Sequence, residues 1–171
     1  MRHPARTSRV LLVAAVLSFV GVLVLGSRVV SAATATANLT VTATVIASCT
    51  VTAGTVAFGS YDPTASVNVD QSGTFTVACT RGTPATVGLG TGVNPSGAIR
   101  RMTNGVDFLA YELYKETGRT NVWGNTGGAL VSLPAAPSNA PQTLTVFGRV
   151  APGQNVGIGA YADTVVITVT F

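Results

Sequence analysis

Cys49 and Cys79 have the clearest chemistry of their own, two thiols and the only cysteines in the chain. In an exported protein an even pair is read as a disulfide. Closing a loop of about 30 residues contributes on the order of 3 to 4 kcal/mol by loop entropy. Two buried thiols are the alternative. A zinc site is poorly supplied, because zinc takes a full tetrahedral set of ligands and the single histidine, His3, stands near the start of the chain.

The remaining polar residues do not assemble a catalyst. With no histidine after His3, neither a Ser-His-Asp nor a Cys-His arrangement can be built. Paired carboxylates could hydrolyse a glycoside, but Asp62, Asp70, Asp107, Glu112, Glu116 and Asp163 are scattered, and most adjoin turn residues. Gly88-Leu89-Gly90-Thr91-Gly92 looks superficially like a nucleotide loop, yet no Lys-Ser/Thr follows and Pro95 stands where a helix would begin, so it reads as a strand-end turn. The expectation is a protein that is not an enzyme and uses no cofactor and no metal. Asp163, just before the final apolar stretch, reads as a turn carboxylate accepting backbone hydrogen bonds.

Charge narrows the partners. The formal net charge of +4 includes Arg2, Arg6, Arg9 and Arg28. From residue 33 onward six basic side chains face six acids, and a neutral chain offers phosphate backbones no electrostatic footprint. Residues 1–32 read as a secretory signal: three arginines, an apolar run from Val10 to Leu25, and the small residues of Val30-Ser31-Ala32 before a cleavage point. An uncleaved anchor is the alternative, although the run falls short of the roughly 20 residues that span a bilayer. Cleavage at this point is expected to leave an exported chain with no membrane segment.

Elements of period two must position everything else. Leu39, Val41, Ala43 and Val45 alternate with threonines; Phe75, Val77 and Cys79 alternate with Thr74, Thr76 and Thr80; Val165, Ile167, Val169 and Phe171 alternate with Thr164, Thr168 and Thr170. Such alternation marks half-buried strands. Turn signals separate them at Tyr61-Asp62-Pro63, Arg81-Gly82-Thr83-Pro84, Asn94-Pro95-Ser96-Gly97, Asn125-Thr126-Gly127-Gly128 and Ala151-Pro152-Gly153. Many short strands at this spacing predict an all-β sandwich in one domain. Residues 134–141, rich in proline and alanine, read as a long surface loop. Tyr111 and Tyr114 fall on opposite faces of a strand from Phe108 to Lys115, so one anchors the core and the other faces outward. Trp123 reads as a core residue near a turn, with an exposed anchor as the alternative.

Two ends draw notice. An apolar alternating strand runs to Phe171, and a long alternating stretch from about Thr34 to Ala47 precedes Cys49. A last strand without a successor suggests a sandwich lacking its closing strand, and the extended arm suggests what fills it in a neighbour. The donor positions are Ala35, Ala37, Leu39, Val41 and Ala43, and the acceptor groove edge is Val165, Ile167, Val169 and Phe171. The plainer alternative pairs both ends within one ordinary sandwich.

Several segments together resemble the spore coat protein U domain family, which also supplies subunits of archaic chaperone-usher pili. They are Ala47-Ser48-Cys49-Thr50-Val51, Phe58-Gly59-Ser60-Tyr61-Asp62, Val77-Ala78-Cys79, Leu109-Ala110-Tyr111-Glu112-Leu113-Tyr114, Thr120-Asn121-Val122-Trp123-Gly124, Phe147-Gly148-Arg149-Val150 and Gly159-Ala160-Tyr161-Ala162-Asp163-Thr164-Val165. The resemblance implies an incomplete immunoglobulin-like β-sandwich, a periplasmic chaperone, an outer-membrane usher, and self-association into a pilus or fimbria used for attachment or biofilm. It divides the chain into a signal at 1–32, a donor-strand arm at 33–46 and the domain at 47–171. Glu112 departs from the small polar residue expected there, a change read as one of surface chemistry. A secreted spore or cell-surface coat protein without a pilus, and a carbohydrate-binding adhesive domain, are the competing functions. The first expectation is chemical: alkylation followed by mass measurement of the exported protein should find neither Cys49 nor Cys79 modified before reduction, and both modified after it.

Overall fold

The computed structural model describes residues 31–171, so the expected secretory signal lies, except for its last two residues, outside the described residues. The chain divides into two units, Met1–Thr42 and Ala43–Phe171. In the first, the described residues 31–42 form neither helix nor strand and their side chains are exposed. The alternation read there as a strand has no ladder, because a strand is defined by a partner for its backbone groups.

The second unit is built from eight strands, β1 (Cys49–Thr52), β2 (Val69–Cys79), β3 (Ala85–Leu89), β4 (Arg100–Thr103), β5 (Phe108–Tyr114), β6 (Val131–Leu133), β7 (Gln142–Val150) and β8 (Ile167–Thr170), with one 3-10 turn at Gly127–Ala129. They form a five-stranded sheet in the order β1-β2-β7-β5-β4 and a three-stranded sheet in the order β6-β3-β8. Every pairing between these strands is antiparallel. The sandwich expected from periodicity is therefore present. Predicted turns join β2 to β3 at 81–84, precede β4 at 94–97 and β6 at 125–128, and follow β7 at 151–153, because glycine, proline and asparagine supply conformations a ladder cannot hold. The β4–β5 turn at 104–107 and the end of β1 at Thr52 fall at none of them.

Alternation decides the core. Phe75 and Val77 of β2, Leu109, Tyr111 and Leu113 of β5, and Leu144, Val146 and Val150 of β7 turn inward against Val87 and Leu89 of β3. Trp123 is buried between the sheets, where its indole Nε1 donates to the Val87 carbonyl at 3.0 Å and its ring lies 5.7 Å from that of Phe75. An aromatic that size buries a large apolar area and needs its one donor satisfied. The disulfide joins Cys49 to Cys79, which stand directly opposite in the β1–β2 ladder with Cα atoms 4.1 Å apart. The loop at residues 134–141 is less superficial than its composition suggests. Ala136 is buried, accepting from the Gly82 amide and donating to the Thr83 carbonyl, so it is fastened to the β2–β3 turn.

Beyond Thr52 the chain leaves the ladder and crosses the inner face of the large sheet. Two glycines make that possible. A Cβ on Gly73 would lie 2.2 Å from the Thr55 carbonyl oxygen, and one on Gly148 would lie 2.7 Å from the Phe58 ring. We expect Gly73→Ala to lower stability by about 1 to 3 kcal/mol through overpacking against backbone, whereas Gly118→Ala, which meets nothing within 4 Å, should be near neutral. Urea unfolding of the two variants checks this.

Candidate functional site

The crossing segment and the chain leading into β8 leave a groove of about 990 Å³ between them. One rim is 53–61 and the other 156–165; Phe75, Leu89, Leu109, Tyr111 and Val146 are among the residues of its floor. Val56 and Phe58 on the first rim, and Val156, Val165 and Ile167 on the second, are half-buried apolar side chains packed against the core. The second rim keeps strict alternation, with Tyr161, Asp163, Val165 and Ile167 half-buried and Ala162, Thr164 and Val166 exposed. It is extended chain in all but its ladder.

The backbone pairing of these rims is one-sided. Ala162 exchanges both hydrogen bonds with Thr103, and the Val166 carbonyl accepts from Gly90, all directed away from the groove. Among the described residues, Tyr161, Asp163 and Val165 enter no backbone–backbone hydrogen bond, and neither does any residue of 53–61. Alternate residues of an extended chain direct their amides and carbonyls to opposite sides. Both rims thus carry unpaired sheet edges, the arrangement that accepts an added strand.

Side chains hold the rims where a ladder would otherwise do so. Asp163 Oδ1 accepts from the Val93 and Thr164 amides, both at 2.8 Å, and its Oδ2 accepts from the Tyr111 hydroxyl at 2.6 Å. The predicted turn carboxylate thus also anchors a floor residue. Burial and the neighbouring Asp163 carboxylate push the Tyr111 hydroxyl well above the usual phenol range, so it stays a donor. Gly92, at φ +86°, lets Asp163 sit so close that a Cβ there would lie 1.9 Å from Oδ2. Farther along, Asp107 Oδ2 accepts from the Gly157 amide at 2.9 Å and, more weakly, from the Tyr161 hydroxyl. The Tyr61 hydroxyl donates to the Ala151 carbonyl and accepts from the Gln154 amide, each at 3.0 Å, tying the end of the first rim to the segment that leads into the second. Gln154 in turn pairs both backbone groups of Ala110.

Arg100 is the largest site residue that sequence reasoning missed. Its side chain is buried, with Nε donating to the Gly90 carbonyl at 2.8 Å and Nη2 to the Leu89 and Trp123 carbonyls at 2.9 and 2.7 Å, while Nη1 pairs with Glu112. Glu112, expected to matter for surface chemistry, is instead the counter-ion of a buried cation. A guanidinium has five donors and no acceptor, so it can satisfy the carbonyls that terminate β3 from a position on β4. Nothing in the local sequence separates buried Arg100 from half-buried Arg101; only its even-odd position in β4 could have raised the question. Tyr111 is the core member of the tyrosine pair and Tyr114 the outward one, as alternation predicts.

Of the positions named for strand exchange, Val165 and Ile167 line the groove; Val169 does not, standing in β8 opposite Val87. Phe171 lies past β8, exposed and away from the groove lining. Ala35, Ala37, Leu39, Val41 and Ala43 are all exposed and outside any strand. The groove contains no histidine or cysteine, and among the described residues no group of three or more potential metal ligands occurs.

The Spore Coat Protein U domain family matches residues 35–168. Protein U of Myxococcus xanthus is 40% identical over 157 residues, covering 82% of this chain and 87% of that protein. A solved chain from the CsuC-CsuE chaperone-tip adhesion subunit pre-assembly complex, of the archaic chaperone-usher Csu pili of Acinetobacter baumannii, superposes with a TM-score of 0.54 at 27% identity. The superposition takes in 75% of the present chain but 40% of that longer one. An immunoglobulin-like sandwich agrees with this likeness.

The buried cation gives the site its clearest mutational test. Arg100→Met should cost about 3 to 5 kcal/mol, as expected when one partner of a buried pair is removed, because Glu112 and the carbonyls of Leu89, Gly90 and Trp123 lose their donors together. Chemical denaturation measures the loss, and an equal loss in Arg101→Met would contradict the distinction drawn between the two arginines.

Proposed function

We propose, from the premise that this chain belongs to the Spore Coat Protein U domain family, that it is a structural subunit of a chaperone-usher surface fibre. In this reading residues 1–32 direct export, the arm at 33–46 is donated to a neighbouring copy, and the domain at 47–171 accepts an arm from another. The observation that carries it is the pair of unpaired backbone rims flanking an apolar groove. A donated strand satisfies both edges at once and covers the floor between them. Ala35, Ala37, Leu39, Val41 and Ala43 share one face at period two, so all five side chains enter the groove while the threonines stay outside. Burial of Leu39 and of Val41 contributes roughly 1.5 to 3 kcal/mol each.

A chaperone and an usher belong to the same proposal. Before assembly a groove of this kind needs a holder, and a periplasmic chaperone supplies it; an outer-membrane usher then exchanges holder for arm. The likeness to a chain from a chaperone-subunit complex supports the chaperone. No enzymatic step is assigned to the chain, and attachment or biofilm formation is the role given to the assembled fibre. A coat built from the same subunits is the second reading, favoured by the likeness to Protein U. In that reading the chain is deposited on the cell or spore surface without a pilus, and recovery of the surface material only as monomer would favour it.

Leu39→Asp tests the mechanism. It would place an unpaired charge in an apolar groove, a large penalty against the stability of a small domain. The variant keeps its own groove, so it should bind chaperone and accept an arm but donate none, shifting surface material from long polymers to short ones in a density gradient. Polymerisation equal to wild type would refute strand donation.

A further inference from the structure

Several aliphatic side chains are strongly exposed. Val45 and Ile46, just before β1, are 83% and 74% exposed, and Val106 and Ile158 are 83% and 102% exposed. Val106 lies in the β4–β5 turn and Ile158 on the second groove rim. These two loops are joined: the Asp107 carboxylate accepts from the Gly157 amide at 2.9 Å, and Asn104 Nδ2 lies 3.0 Å from where a Cβ on Gly159 would be. Single exposed aliphatics need no explanation, but two on adjoining loops at the mouth of a groove are a patch. The Ile46 carbonyl accepts from the Thr80 hydroxyl at 3.2 Å, so the backbone at the Val45–Ile46 stub is tied to the end of β2.

We infer that Val45 and Ile46 of one copy seat against Ile158 and Val106 of the next, forming an apolar junction where consecutive subunits meet. The inference rests on the strand donation proposed above and adds to it a contact beyond the five donated positions, at the mouth of the groove. Direction decides the placement. Every strand pairing in the domain is antiparallel, and an arm entering in the same sense runs opposite to the 156–167 rim. Its N-terminal end then lies beside Ile167, and its C-terminal end beside Gly159. At about 3.3 Å per residue, the arm from Ala35 to Ala43 and the rim from Gly159 to Ile167 have the same reach. In that register odd-numbered arm residues oppose Tyr161, Asp163, Val165 and Ile167, the half-buried face of the rim. The chain then leaves the groove at Gly159, and Val45 and Ile46 come out beside Ile158. Both halves of the patch are thus covered by a second copy of this chain, which also fixes the angle between successive domains.

Photo-crosslinking distinguishes this junction from strand donation itself. p-Benzoylphenylalanine is placed at Ile158 in one preparation and at Phe171 in another, and each is co-assembled with isotope-labelled unmodified protein. The expected result is a crosslink from position 158 to the labelled peptide containing Val45 and Ile46, with none to that peptide from position 171. Ile46→Asp should accompany it with weaker fibres that dissociate at lower denaturant, while chaperone binding is unchanged. Polymers in which position 171 labels the 45–46 peptide, or position 158 labels only its own copy or another region, overturn the junction and leave strand donation standing. Wild-type-like polymers from Leu39→Asp protein overturn both.

Discussion

A sheet edge cannot be left with its amides and carbonyls unpaired beside an apolar floor, and that constraint organises this molecule. Water satisfies such groups only while the groove stays wet, and a wet groove leaves apolar surface uncovered. The two requirements conflict, and an added strand resolves both together because it brings a ladder for the rims and side chains for the floor. Under the strand donation proposed above, the rims at 53–61 and 156–165 are halves of one binding surface. Their separation is kept by Gly73 and Gly148, which let the first rim lie directly on the large sheet.

Where the rims run without a ladder, other groups hold the layers together. Trp123 and Arg100 do so at the centre. The indole bonds to Val87 of the small sheet, and the guanidinium reaches from β4 to the carbonyls at the end of β3 and to Trp123 itself. Asp163 pins the second rim to the loop after β3 and to Tyr111, while Tyr61 and Gln154 fasten the chain between the rims. Among the described residues no buried side-chain polar atom lacks a partner, so these links are complete before anything enters the groove. Rims held in place beforehand by such links would lower the ordering cost of binding an extended segment.

The disulfide acts at the opposite end. Cys49 and Cys79 close the β1–β2 ladder where the chain enters the domain. The arm lies immediately before this fixed point and the crossing segment immediately after it. In the proposed fibre, a pull on the arm would be delivered to this covalently tied strand pair.

The sequence by itself determined the all-β class, the inward faces of the strands around Phe75, Tyr111 and Val169, and the absence of a Ser-His-Asp or Cys-His constellation, because period-two alternation and residue inventory are properties of neighbouring positions. Cys49 and Cys79 were legible as a pair because only two cysteines exist. The alternating arm was legible too, although alternation around Leu39 and Val41 describes a face and not the surface that will cover it. Tertiary structure alone decided that the groove lies along 156–165 with Phe171 outside it, that Ala136 in a proline-rich loop is buried, and that Glu112 answers a buried Arg100. Each of these depends on which distant segments meet. Arg100 and Arg101 are adjacent and chemically identical, and only the pleat of β4 against β5 sends one guanidinium inward to the end of β3 while the other stacks over Phe108.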